Sequence, residues 1–207
     1  MSKLATVLLM MSCGACGILG GSQPQYDYFV LTPTRAMARP TAQLTAVSSA
    51  QPTLGISDVT VPGYLDRESI VTRTDEYQLI YSKQDRWAEP LDQAFERSLR
   101  EDLATALAPA GITVPPHATS PTYDLHVDVL RFERHGAYRV ELWAHWILRA
   151  DGKSVASGDP RIELAVSGAG SGAVAAALSQ AIARLAVEIA DHVRNVPRKE
   201  PVQSAER

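Results

Sequence analysis

Cysteine is almost absent from this sequence. Of 207 residues only Cys13 and Cys16 are cysteines, both at the extreme N-terminus. A secreted domain stapled by disulfides carries its cysteines within the folded part, so this body must be held by packing alone. The C-x-x-C spacing also lacks the βαβ context of a redox motif. An excess of positive charge is missing too: 20 Lys and Arg face 23 Asp and Glu, a formal net charge of -3. A nucleic-acid partner would need a basic face to neutralise phosphates, so this balance argues against that class. With 45% apolar and 21% charged residues, the composition is that of an ordinary globular protein.

Signatures of chemistry are equally scarce. The five histidines, His117, His126, His135, His145 and His192, show no ligand spacing to one another or to a carboxylate on one element. There is no G-x-S-x-G elbow. Ser167 to Gly172 is glycine-rich but lacks the lysine of a phosphate loop, and it reads as a strand-to-helix connector. No catalytic residue, cofactor or metal site is expected from these patterns.

What is present begins with the leader. Lys3 supplies one positive charge, Leu4 to Met11 is apolar, and Ser12 to Gly17 is small throughout. This is the layout of a secretory signal. The apolar stretch falls far short of the about 20 residues needed to span a bilayer. A small residue directly before a cysteine resembles the lipobox of bacterial lipoproteins, in which the cysteine is acylated and becomes the new N-terminus. Cys13 and Cys16 both satisfy it. Cys16 has the smaller residues before it and leaves a leader of more usual length. An ordinary signal peptide cut nearby is the alternative. Neither cysteine is followed by Asp, which in such lipoproteins favours the outer membrane. Residues 1–16 are thus read as signal peptide and lipobox, 17–25 as tether, 26–196 as one periplasmic domain, and 197–207 as a disordered tail.

Tyr26 to Thr32 reads as a first strand, followed by an Ala/Thr/Ser/Pro-rich loop over 34 to 52. Leu54 to Val61 is a strand stopped by Pro62-Gly63, and Ser69 to Thr72 with Gln78 to Tyr81 is a strand pair. Glu89-Pro90 opens a helix, with proline at the first helical position. Its stripe is Leu91, Phe95, Leu99, Leu103 and Leu107. Tyr123 to Glu133 alternates until Leu130 and Phe132 shift phase, which predicts a bulge. Tyr138 to Leu148 alternates cleanly, Asp151-Gly152 marks a hairpin, and Val155 to Val166 is one further strand. A last helix runs from about Ser171 to Arg194. The expected fold is α+β: a mostly antiparallel sheet with two amphipathic helices packed on one face.

Two tryptophans stand out. Trp143 points away from Val140 and Leu142, so it is either covered by a loop or marks an interface, where Trp is enriched. Trp87 is either packed at the start of the helix or part of a contact surface.

Three blocks of this chain are similar to a known family. They are Tyr28-Phe29-Val30-Leu31-Thr32-Pro33; Leu54 to Arg67 with its Pro62-Gly63-Tyr64-Leu65-Asp66-Arg67 end, continued by Ile70-Val71-Thr72-Arg73; and Asp85-Arg86-Trp87-Ala88-Glu89-Pro90-Leu91. In these the chain resembles the PqiC-type lipoproteins, auxiliary components of ABC-type and MCE-linked transport systems. The resemblance runs from the leader to about residue 194. It implies a non-enzymatic domain lipid-anchored on the periplasmic face of the outer membrane, which self-associates into rings. Its implied partners are an MCE-domain protein and inner-membrane transporter components that move lipids between membranes and maintain the barrier. The expected partner contacts are Tyr64, Leu65, Asp66, Arg67, Arg86, Trp87, Glu89, Pro90 and Trp143. A module that itself binds a lipid or small ligand is the alternative, and it would need an apolar pocket between sheet and helices.

Overall fold

A computed structural model describes residues 25–34 and 51–196. The leader with Cys13 and Cys16, most of the tether, residues 35–50 and the tail lie outside the described residues. Eight strands and two helices follow in the order β1 (Asp27–Phe29), β2 (Leu54–Thr60), β3 (Ser69–Arg73), β4 (Leu79–Trp87), α1 (Leu91–Leu107), β5 (Tyr123–His135), β6 (Arg139–Ala150), β7 (Lys153–Gly158), β8 (Arg161–Ala165) and α2 (Gly170–Asn195). A single 3-10 turn, Ala108–Ala110, follows α1.

The two longest strands, β5 and β6, form an antiparallel pair at the centre, flanked on each side by a line of two shorter strands. On one side, β2 runs parallel to β5 opposite residues 123–128, and β3 runs parallel opposite 134–135. The excursion 61–68 fills the gap between them. On the other side, β7 and β8 both pair antiparallel with β6. β4 then pairs with β3, and β1 closes the far edge, parallel to β4.

The sheet is therefore mixed, not purely antiparallel. Three of its pairings, β1 with β4 and both β2 and β3 with β5, are parallel. The single strand expected over 155–166 is two strands. Pro160 has no N–H to give a ladder, and its carbonyl accepts from Ala144 N at 3.2 Å between the two pieces. Gly158 at the break lies against the Trp146 ring, where a Cβ would stand 2.8 Å from the indole. β1 is shorter than expected, and β4 runs through Arg86 and Trp87, which sequence alone had placed at a helix start. Pro90 stands just before the first turn of α1, with extended backbone, rather than inside it.

The bulge forms where the phase shift predicts it, between Val129 and Arg131. It returns Phe132 to the helix side, where its ring meets Phe95 of α1 edge-to-face at 5.3 Å. Asp151 and Gly152 both take positive φ, 52° and 72°, as a tight turn of matching twist requires. All five stripe residues of α1 are buried, as are Val174, Leu178, Ile182, Leu185, Ile189 and Val193 of α2. They pack against Val140, Leu142, Ala144, Trp146 and Leu148 of β6. α2 is long and apolar enough to cross a membrane by length and composition, but its apolar stripe is spent on this core. Both helices thus cover one face, and the other face is left to polar groups and one loop.

Candidate interaction face

Strand alternation aims Glu133, Glu141, Trp143 and His145 away from the helices. Glu133 and Glu141 are directly opposite each other across β5 and β6, and both side chains are 0% exposed. Two carboxylates in that arrangement repel each other and lose water, so they persist only if paired. Arg73 Nε donates to Glu133 Oε1 at 2.5 Å. Around Glu141, Arg131 Nη1 donates to Oε2 at 3.3 Å, the Arg161 guanidinium forms an ion pair with Nε 2.8 Å from Oε1, and His135 Nδ1 lies 3.4 Å from Oε2. Arg73 comes from β3, Arg161 from β8, and Arg131 and His135 from β5. The network therefore ties strands from both flanks to the central pair.

Tyr64 roofs this network. The excursion 61–68 crosses the bulge, and the Tyr64 hydroxyl donates to the Leu130 carbonyl at 3.4 Å, where the ladder is interrupted. Arg73 lies over the Tyr64 ring at 5.9 Å. Burial pushes the Tyr64 phenol far above its ordinary value, the Glu133 carboxylate pushes the same way, and Arg73 opposes. For Arg73, burial pulls the guanidinium down, but the hydrogen bond and charge of Glu133 outweigh it and hold it up.

The expected contact residues divide into two groups. Leu65 (1% exposed) and Trp87 (5%) lie in the core, so their side chains cannot meet a partner directly. Their role here is to seat the two blocks: Trp87 N donates to the Glu68 carbonyl at 2.6 Å, which binds β4 to the end of the excursion. Asp66, Arg67 and Pro90 are exposed. Arg67 covers the Tyr81 ring at 5.3 Å. Arg86 caps the carbonyls of Ser82, Lys83 and Asp85 and covers the Tyr26 ring at 4.6 Å. Glu89 pairs with Arg97, which also donates to Leu31 O at 3.0 Å and so fastens the chain after β1 to α1. Trp143 is half-buried on the bare face with Arg131 over its ring at 5.7 Å. No loop was needed to cover it: the flanking arginine does so in part. These residues fall in two places, a rim at β1 and β4 and the centre at Trp143, rather than in one cluster.

Sequence reasoning missed the Glu133–Glu141 pair, because a carboxylate at an alternating position reads as solvated. It also missed that His126 pairs with a carboxylate on its own strand. His126 Nε2 lies 3.2 Å from Asp128 Oδ1, two residues on and therefore on the same face. Thr60 donates to Asp128 at 2.6 Å, and this bond holds the Asp128 carboxyl below its ordinary value, with His126 and His145 adding to it. His145 Nδ1 is 2.7 Å from Asp159. Among the described residues, no group of three or more His, Cys, Asp or Glu is placed to hold a metal ion.

The intermembrane transport lipoprotein PqiC of Escherichia coli and that of Shigella flexneri are each 28% identical to this chain over 102 residues. The match takes in 49% of this chain and 54% of each relative, so the chain spans about half the length of the curated relatives it matches. Among solved structures, an uncharacterised protein superposes with a TM-score of 0.67 at 23% identity, over 82% of this chain and 99% of that one. A protein of Xanthomonas campestris superposes with a TM-score of 0.54 at 24% identity, over 71% and 90%. Both share the fold. The model of a family described as the ABC-type transport auxiliary lipoprotein component matches residues 34–190, and the chain belongs to that family.

Proposed function

We propose that this chain is a lipid-anchored periplasmic subunit of an MCE-type, ABC-linked intermembrane lipid transport system. In this reading it is held by Cys16 or Cys13 on the inner leaflet of the outer membrane. There it docks the lipid tunnel of an MCE-domain protein, assembles with further copies of itself, and supports membrane integrity. The observation that carries the reading is the family match over residues 34–190, joined to a leader that ends in a lipobox-like cysteine. The similarity to intermembrane transport lipoproteins supports the same direction.

The fold suits a docking part. One face of the sheet is closed by helices and packed, with Leu125, Val127, Leu142 and Trp146 fully buried against them. That filling leaves the alternative, a ligand held between sheet and helices, without a specific observation in its favour. The other face is bare, braced by the Glu133–Glu141 network, and carries Trp143 with its arginine. Half-exposed Trp beside Arg is the composition that concentrates binding energy at protein interfaces.

The test is affinity capture of the acylated chain from its own membranes. Co-capture of an MCE-domain protein is the expected result. Capture of self-copies with no MCE-domain partner, in cells that make one, would overturn the reading.

A further inference from the structure

The bare face ends at a rim unlike the rest of it. In β1 and the residues beside it, Phe29 and Leu31 turn inward while Tyr26, Tyr28 and Val30 are exposed, Tyr28 at 61%. Across β4, Tyr81 lies opposite Val71 on the side to which Arg73 also points. Arg86 covers Tyr26 and Arg67 covers Tyr81. Ser69 pairs with Arg86, and the Glu68 carbonyl takes the Trp87 N–H, so Arg67 and Arg86 belong to one continuous surface. The result is a strip of three tyrosines and one valine along the β1 edge and the neighbouring β4, with a guanidinium over the rings of Tyr26 and Tyr81.

The strip also lies where the chain comes in. Tyr26 is ten residues after Cys16 and thirteen after Cys13. At full extension that is at most about 36 Å or about 47 Å. An acylated cysteine would therefore hold the start of β1 within that reach of the bilayer. Amphipathic rings such as tyrosine favour the headgroup layer, with the ring in the apolar part and the hydroxyl in water. Asp27, Asp66 and Glu68 are exposed in the same stretches, so the strip has no cationic excess and does not select anionic lipid.

We propose that the β1–β4 rim, through Tyr26, Tyr28, Val30 and Tyr81, rests on the phospholipid surface to which the chain is tethered. The inference rests on the lipid-anchor reading above. It adds an orientation: the sheet stands on its β1 edge, with its bare face directed along the membrane. Trp143 sits four strand spacings from β1, roughly 19 Å up the sheet.

The experiment uses the acylated full chain in phosphatidylcholine vesicles, with an environment-sensitive fluorophore on Tyr28→Cys or, separately, on Tyr138→Cys. Tyr138 is 78% exposed at the β5–β6 turn, away from the rim. The unsubstituted chain, labelled in parallel, gives the background from any leader thiol. Brominated acyl chains are expected to quench the probe at position 28 at least about twofold more than at 138, with no dependence on salt. Equal quenching in a chain that floats with the vesicles overturns the contact while leaving the anchor standing. A mature chain that does not float overturns the anchor and the contact together. A signal at 28 that follows protein density rather than brominated lipid assigns the strip to a second copy and also overturns the proposal.

Discussion

The two faces of β6 bury their residues by different means. Toward the helices, Val140, Leu142, Ala144, Trp146 and Leu148 are removed from water by apolar packing, a non-directional effect roughly proportional to area. On the opposite side, Glu141 is just as deeply buried but depends on two specific cations, Arg131 and Arg161, at fixed distances. The first arrangement tolerates a change of shape at a cost that scales with volume. The second fails when one partner is lost and survives when all its charges are removed together. The helix face makes the fold; the bare face sets the position of the 61–68 excursion and of Trp143.

The largest expected effect is on the helix face. Phe95→Ala removes the ring that meets Phe132 edge-to-face and should cost about 3–5 kcal/mol, read as the midpoint of denaturant unfolding. Next comes the charged network. Glu133→Leu leaves Arg73 without its carboxylate and should cost about 3 kcal/mol, whereas Glu133→Leu with Arg73→Met should recover most of that loss. If the double variant is as weak as the single one, the contrast between the two faces breaks down. Gly158→Ala drives a Cβ into the buried Trp146 ring and should cost about 1–3 kcal/mol, although the substitution touches no charge.

The smallest effects are in pH. The Tyr64 phenol is raised in the fold, so its contribution is intact below the ordinary tyrosine value, about 10, and is lost as pH rises beyond it. Tyr64→Phe should flatten the alkaline limb of a melting-temperature profile. The Asp128 carboxyl is lowered, so its contribution is present above the ordinary aspartate value, about 3.9, and is lost as pH falls through the lowered one. Asp128→Asn should flatten the acid limb slightly, because the side chain is partly solvated.

Legibility in the sequence followed how local each signal was. The stripe from Leu91 to Leu107, the phase shift at Leu130 and the Asp151-Gly152 turn are each written within a few residues, and each forms as expected. The parallel pairing of β2 and β3 with β5 joins segments some 60 to 70 residues apart, and alternation says nothing about direction. Gly158 to Pro160 was legible as a break in principle, since proline cannot serve a central ladder. The face choice of Trp143 was readable from its parity. The burial of Trp87 was one of two readings open at that position, whereas the burial of Leu65, Glu133 and Glu141 was not legible, because it depends on what other segments place over them.

The central claim is that the bare face, and not the helices, meets the transport partner. A photo-crosslinking residue placed at Trp143, or alternatively at Val187 on the exposed side of α2, tests this in growing cells. The account predicts a crosslink to the MCE-domain protein from position 143 and little from 187. A crosslink from 187 with none from 143 would contradict it.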